Sequence, residues 1–289
     1  MGQLVEVLAV EVEETPADPL LGASVDTPAA GRHLAAHALE IGGWALGPDG
    51  AAERVEVALD GRVLAEAAVG QPRDDIGAAY PDVAGADRAG FEVAVDAGRL
   101  PAEAELEVRA SVDSATATVT IGRLRLRRCW RGNLRRDPLP LISLVVVRDA
   151  ADQDLEATLR GLEEQRYPAT ELVVVDPRAS ADQDPAGLRN EAIRCSSGDL
   201  ILFLPAGAVL SGDALFAAVE RLIERPEACG VIDGEVDGPV GAAVFRRSAF
   251  EELRGFRAAA GERCERELAD RAADYDALFV PGALREDEG

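Results

Sequence analysis

The chain has 289 residues, 47% of them apolar, which is long and apolar enough for two domains with separate cores. Fifty-three acidic residues against 30 basic ones give a formal net charge of -23, which disfavours nucleic acid and anionic membrane surfaces as partners. No apolar run approaches the ~20 residues of a membrane span and no basic-then-apolar leader opens the chain, so no transmembrane segment and a cytoplasmic location are expected.

Residues 3 to 127 alternate apolar and polar positions in short runs, as in Val5-Glu6-Val7, Val55-Glu56-Val57-Ala58-Leu59 and Phe91-Glu92-Val93-Ala94-Val95. Period two predicts half-buried strands. Asp60-Gly61 lies between two such runs and supplies the positive backbone angles of a two-residue hairpin turn. Further strands are predicted over 104–112 and 115–121, with no helical periodicity of useful length. About seven short strands separated by turn signals predict an immunoglobulin-like β-sandwich over residues 1–128. On this reading Trp44, within Gly42-Gly43-Trp44-Ala45-Leu46, either plugs the core between the sheets or offers a flat face on which a pyranose ring stacks. Arg73, Asp74 and Asp75 form a polar turn that can solvate or hydrogen-bond a sugar.

The alternation breaks at Cys129-Trp130-Arg131-Gly132, and residues 129–139 are expected to form a linker with Trp130 as its anchor. Beyond it the pattern changes to apolar runs at 141–147, 171–175 and 200–204, the mark of parallel strands buried on both faces. Leu155, Leu159 and Leu162 predict a helix between the first two runs. Ser211 precedes another whose apolar face is Leu215, Phe216, Val219, Leu222 and Ile223. Ser248-Ala249-Phe250-Glu251 has the form of a capping box, with Gly255 ending the short helix that follows. Strands alternating with helices over 140–284 predict an α/β sheet that binds ligands at the carboxyl ends of its strands, with 285–289 as a disordered tail. The cysteines Cys129, Cys195, Cys229 and Cys264 are widely spaced and form no Cys-x-x-Cys pair, so they read as reduced and structural.

The runs Ile142-Ser143-Leu144-Val145-Val146, Gln165-Arg166-Tyr167-Pro168, Glu171-Leu172-Val173-Val174-Val175-Asp176, Arg189-Asn190-Glu191-Ala192-Ile193 and Ser197-Gly198-Asp199 follow one another in the order and frame of a known core. Continued by Gly241 to Phe250, Gly255-Phe256 and Val280-Pro281-Gly282-Ala283, the set resembles the GT-A nucleotide-sugar-binding domain of family-2 glycosyltransferases. The N-terminal motifs, Gly42-Gly43-Trp44, Asp60-Gly61, Gly70 to Asp75 and Gly90-Phe91, resemble an accessory β-domain found beside bacterial glycosyltransferases. The resemblance implies that Asp176 contacts the nucleotide base or ribose and that Arg189 and Asn190 lie near the diphosphate. A strand-end cap and a solvated helix residue are the plain alternatives for Asp176 and Arg189.

The departures from the family pattern carry as much information. The strand over 200–204 should lead into acidic residues that hold a divalent ion, and those positions are Pro205, Gly207 and Ala208, none with an oxygen donor. The position of the catalytic base is Arg263, preceded by Glu262, and arginine cannot accept a proton. Thirteen residues separate Asp176 from Asn190, where the family inserts a further helix and strand. These losses favour a catalytically degenerate protein that needs no metal cofactor and acts as a binding or scaffold component in glycan or cell-surface polysaccharide assembly. Its partners would be a nucleotide sugar or glycan and other glycan-assembly proteins. Two alternatives stand beside it: an active, metal-independent inverting transferase with Glu262 as base, and a carbohydrate-binding protein that works through the sandwich.

Overall fold

The computed structural model describes residues 3–13, 20–112, 118–132, 134–147, 152–176, 184–205, 208–210, 212–234, 240–258, 264–281 and 284. Two compact units emerge, Leu4–Cys129 and Trp130–Gly289, the latter with Met1–Gln3.

The first unit is built from β1 (Gln3–Val12), β2 (Gly22–Thr27), β3 (His33–Ala35), β4 (Leu39–Gly47), β5 (Gly50–Ala51), β6 (Arg54–Leu59), β7 (Arg62–Ala68), α1 (Asp74–Ala79), β8 (Gly90–Val95), β9 (Glu103–Ser111) and β10 (Val119–Trp130). One sheet has the order β3-β1-β10-β9-β6-β7, and in a second β4 pairs with β2, β5 and β8. Every second residue along these strands enters one core shared by both sheets, with Val5, Val7, Val57, Leu106 and Ile121 from the first and Ile41, Ala45, Phe91 and Val93 from the second. Each of the larger side chains, Val, Leu, Ile or Phe, contributes about 1.5–3 kcal/mol when fully buried. The hairpin joins β6 to β7 at Asp60 and Gly61, whose φ angles are 49° and 81°.

Three expectations for this unit change. Helix α1 was not legible, because six residues with one buried apolar position, Ile76, leave no helical period to detect. Trp44 does not plug the inter-sheet core. Alternation along β4 gives Ile41 and Ala45 to that core, so Trp44 joins a separate cluster with Ile76, Ala86 and Ala89. Its ring is 6.1 Å from that of Tyr80 and lies over Gly22, where a Cβ would come 2.6 Å from Cη2. Strand β10 also continues through Cys129 and Trp130, residues that the break in alternation had given to the linker.

The second unit contains β11 (Ile142–Val147), α2 (Asp152–Glu163), β12 (Thr170–Val175), α3 (Pro185–Arg194), β13 (Leu200–Pro205), α4 (Ala214–Glu224), β14 (Gly230–Gly234), β15 (Val240–Arg246), α5 (Arg247–Glu252), α6 (Cys264–Ala273) and β16 (Leu278–Phe279). Its sheet runs β12-β11-β13-β15-β14-β16, with β12, β11 and β13 parallel and β15 antiparallel to both neighbours. Residues from α3, α5 and α6 complete a core on one face, and α4 completes a core on the other through Leu215, Ala218, Val219 and Leu222. The result is a three-layer α/β unit.

Strand β12 is the sheet edge, and there the expectation of burial on both faces fails: Leu172 is 49% exposed and Val174 44%. The capping box also fails. Helix α5 starts at Arg247, so Ser248 lies inside it and donates instead to the Arg131 carbonyl at 3.0 Å. The C-terminus of α5 is a Schellman turn in which Gly255 N–H reaches the Phe250 carbonyl and Arg254 N–H the Glu251 carbonyl, both at 3.0 Å. Arg254, at φ 60°, takes the left-handed position that the sequence had suggested for Gly255, which follows at φ 64°. Helix α4 starts at Ala214 after Asp213, and Ser211 is outside the described residues, as is the expected tail 285–289.

Candidate functional site

Parallel register brings Val147, Val175 and Pro205 abreast at the carboxyl ends of β11, β12 and β13. Strand β14 runs in the same direction as β13, since each is antiparallel to β15, so its carboxyl end lies at the same edge of the sheet. That edge is where an α/β sheet of this kind receives a ligand.

Asp176 follows Val175 at this edge and is half-buried. Pro205 closes β13, and Ala208 lies three residues on. Gly207, Glu262 and Arg263 are outside the described residues. Sequence reading missed Asp233, which stands near the carboxyl end of β14 and is 1% exposed. Ile232 beside it is aligned through Ala243 with Phe203 of β13, so Asp233 belongs to the upper level of the sheet. The signal was present: an acid closing the apolar run Val231-Ile232-Asp233-Gly234 is out of place unless it has a partner.

Asp184 caps α3 by accepting a hydrogen bond from Ala186 N–H at 2.8 Å, and Pro185 fills the first helical position. The helix packs against β11 and β12. Its two candidate residues are both engaged within the protein. Arg189 has a side chain only 8% exposed, pairs with Glu265 at 2.8 Å and stands 5.9 Å from the centre of the Phe256 ring. Its Nε–H has no hydrogen-bond partner among the described residues. Asn190 donates to the Phe256 carbonyl at 2.9 Å and accepts from the Phe256 N–H at 3.0 Å. Phe256 in turn packs edge-on against Phe203 at 4.6 Å and Phe250 at 5.6 Å. Arg189 and Asn190 thus fasten α3 to the segment after α5 and to α6, through Phe256 and Glu265.

At the opposite, amino-terminal edge of the strands, Glu171 accepts from the Ser143 hydroxyl and the Ser197 N–H at 2.6 Å each, and from the Gly198 N–H at 2.9 Å. The Ser143 bond, opposed by partial desolvation and assisted by the two N–H groups, holds the Glu171 carboxyl below its ordinary range. Arg247 closes the same loop by donating to the Ile193 carbonyl at 3.0 Å and the Ser196 hydroxyl at 2.9 Å. This network fixes the turn that leads into β13.

Trp130, buried at the start of the unit, donates through Nε1 to the Glu227 carbonyl at 2.8 Å and packs 6.0 Å from Tyr275.

A divalent ion of the kind a GT-A site uses needs several oxygen ligands, and the side chains at 205, 207 and 208 offer none. The donor set at the end of β13 does not fit such an ion.

No protein-family model matches this sequence, and no curated protein matches it. Among solved structures, the chain is similar to a mannosyltransferase from Pyrobaculum calidifontis in complex with GDP-Man and Mn2+, at 22% identity over 52% of this chain and 58% of that one, with a TM-score of 0.42. It is also similar to residues 1-349 of S. aureus TarS, at 15% identity over 48% of this chain and 58% of that one, with a TM-score of 0.38. For the same protein in complex with UDP-GlcNAc the values are 15%, 48%, 56% and 0.40. The chain spans less than two thirds of the length of each of these structures.

Proposed function

We propose that the chain is an immunoglobulin-like sandwich followed by a reduced GT-A-like domain, and that it acts as a catalytically degenerate, glycosyltransferase-like binding or scaffold component in glycan assembly. The reading places it in the cytoplasm, with a nucleotide sugar or glycan and other glycan-assembly proteins as partners, and with no divalent metal. Its carrying observation is the use to which α3 puts its polar side chains: Arg189 is paired with Glu265 and Asn190 with the backbone of Phe256, so neither is presented to a diphosphate.

The magnitudes support loss of chemistry. A general base contributes ~10²- to 10⁴-fold and a metal ion several kcal/mol, each ~1.4 kcal/mol being tenfold in rate. With Arg263 at the base position and Pro205, Gly207 and Ala208 at the metal position, both contributions are missing. What remains within reach at the strand ends is the half-buried Asp176 carboxylate, suited to accepting a hydrogen bond from a ribose or sugar hydroxyl, whereas Asp233, 1% exposed, is closed to a ligand.

The test is a coupled assay for nucleotide release from UDP-GlcNAc and GDP-mannose, run on the full chain and on Asp176→Ala. The proposal expects no release above the uncatalysed background. Release by the parent chain that Asp176→Ala abolishes would establish the metal-independent transferase instead.

A further inference from the structure

A cavity of about 780 Å³ lies wholly in the N-terminal unit and falls within the ~300–1,000 Å³ range of small-ligand clefts. Its floor is the strand pair β4–β8, where Gly42 faces Glu92 across the ladder and Glu40 faces Ala94. Glu40 and Glu92 are diagonal neighbours, ~7–8 Å apart, beside Gly42, where the Thr27 hydroxyl lies 2.9 Å from the position a Cβ would take. One wall carries Arg73, fixed by two bonds to Asp75 at 2.8 and 2.7 Å and a third to Asp26 at 2.7 Å. The Asp75 carboxyl, lowered to about 2 mainly by its bond to Arg73, stays ionised at any working pH. Arg32 lines another part of the cavity, and Leu34 and Pro72 supply apolar surface.

The charges narrow the ligand. An anion would face Asp26, Glu40 and Glu92 in a protein of net charge -23, and a cation would face Arg32 and Arg73. Arg32, Glu40 and Glu92 make no ion pair with any described residue, so their hydrogen-bonding capacity is open to a ligand. Carboxylates accept and guanidinium groups donate, and a hydroxyl does both, so a ligand rich in hydroxyls and without net charge satisfies the whole lining. Arg73 is already held in place, which lowers the ordering cost of binding. From this geometry we propose that the cavity between β4–β8 and the Arg73 turn binds a neutral, polyhydroxylated ligand of the saccharide class. The site is separate from Trp44, which packs under α1, and does not depend on how the C-terminal unit functions.

The experiment is an array of neutral, acidic and basic oligosaccharides probed with the labelled full chain, followed by calorimetry on the best neutral ligand. Four variants accompany it: Glu92→Arg, Arg73→Met, Asp176→Ala and, as a control on the other sheet, Glu11→Arg. The proposal expects neutral saccharides to bind, Glu92→Arg and Arg73→Met to weaken binding at least tenfold, and Glu11→Arg to leave it unchanged. Because Glu92 is exposed, Glu92→Arg should retain the parent melting temperature, which separates lost binding from lost folding. A blank neutral array, preference for charged glycans, or binding indifferent to Glu92→Arg overturns the proposal. Saccharide binding that survives Glu92→Arg but falls with Asp176→Ala assigns the ligand to the C-terminal unit, which refutes this site and leaves the proposed function standing.

Discussion

Asn190→Ala tests whether α3 is a fastening element. The substitution removes two hydrogen bonds, at 2.9 and 3.0 Å, and strands the N–H and carbonyl of Phe256. Each such bond has a net value of ~0.5–1.5 kcal/mol, and a buried backbone group left unpaired costs ~1–3 kcal/mol. Asn190 is half-buried, so water reaches part of the gap and a total near ~2 kcal/mol is expected. At ~2–4 °C per kcal/mol for a unit of this size, the melting temperature of the C-terminal unit should fall by about 4–8 °C. Each unit contains one of the chain's two tryptophans, so a Trp44→Phe background leaves buried Trp130 to report the C-terminal transition by fluorescence. A shift under ~1 °C would refute the structural role assigned to Asn190. So would an unshifted transition together with lost nucleotide binding.

Gly255→Ala should destabilise the same unit by ~1–3 kcal/mol, since the residue has φ 64° and its Cβ would come 2.5 Å from Asn190 Oδ1; urea denaturation followed by Trp130 fluorescence measures it. Arg254→Gly should do the reverse by ~0.5–1 kcal/mol in the same assay, because it relieves a left-handed residue at the end of α5. Glu171 has a depressed folded value, so its contribution to stability is complete above the unfolded value of ~4.3 and fades as pH falls through the folded one. Glu171→Gln should therefore be less stable than the parent at pH 7, with the gap in urea midpoint closing on acidification. Native alkylation followed by peptide mapping should modify exposed Cys195 and spare Cys229, whose thiol burial pushes up to about 12.

Legibility in the sequence followed how local each signal was. The β6–β7 hairpin was readable because Asp60-Gly61 and the alternation around it lie within fifteen residues. Strands β11, β12 and β13 were readable for the same reason, as short runs rich in valine, leucine and isoleucine. Trp44 was misplaced because alternation says that neighbouring residues face opposite ways but not which face is the inner one, and Gly43 beside it hid the phase. Leu172 and Val174 read as buried because an apolar run carries no mark of being at a sheet edge. Ser248 satisfied a capping pattern one residue too late, since β15 runs directly into α5. Asp176, Arg189 and Asn190 were singled out by pattern, yet the partners of Arg189 and Asn190, Glu265 and Phe256, lie 76 and 66 residues away, a distance that no local motif encodes.

Under the proposed function, any sugar nucleotide binds the C-terminal unit without a cation at the end of β13. Titration calorimetry of the full chain with UDP-GlcNAc and GDP-mannose, in manganese and again in a chelator, addresses this directly. The same heats and affinities are expected in both media. A tenfold or greater tightening with manganese would contradict that expectation, because a hard ion would then be held where proline, glycine and alanine supply no side-chain oxygen.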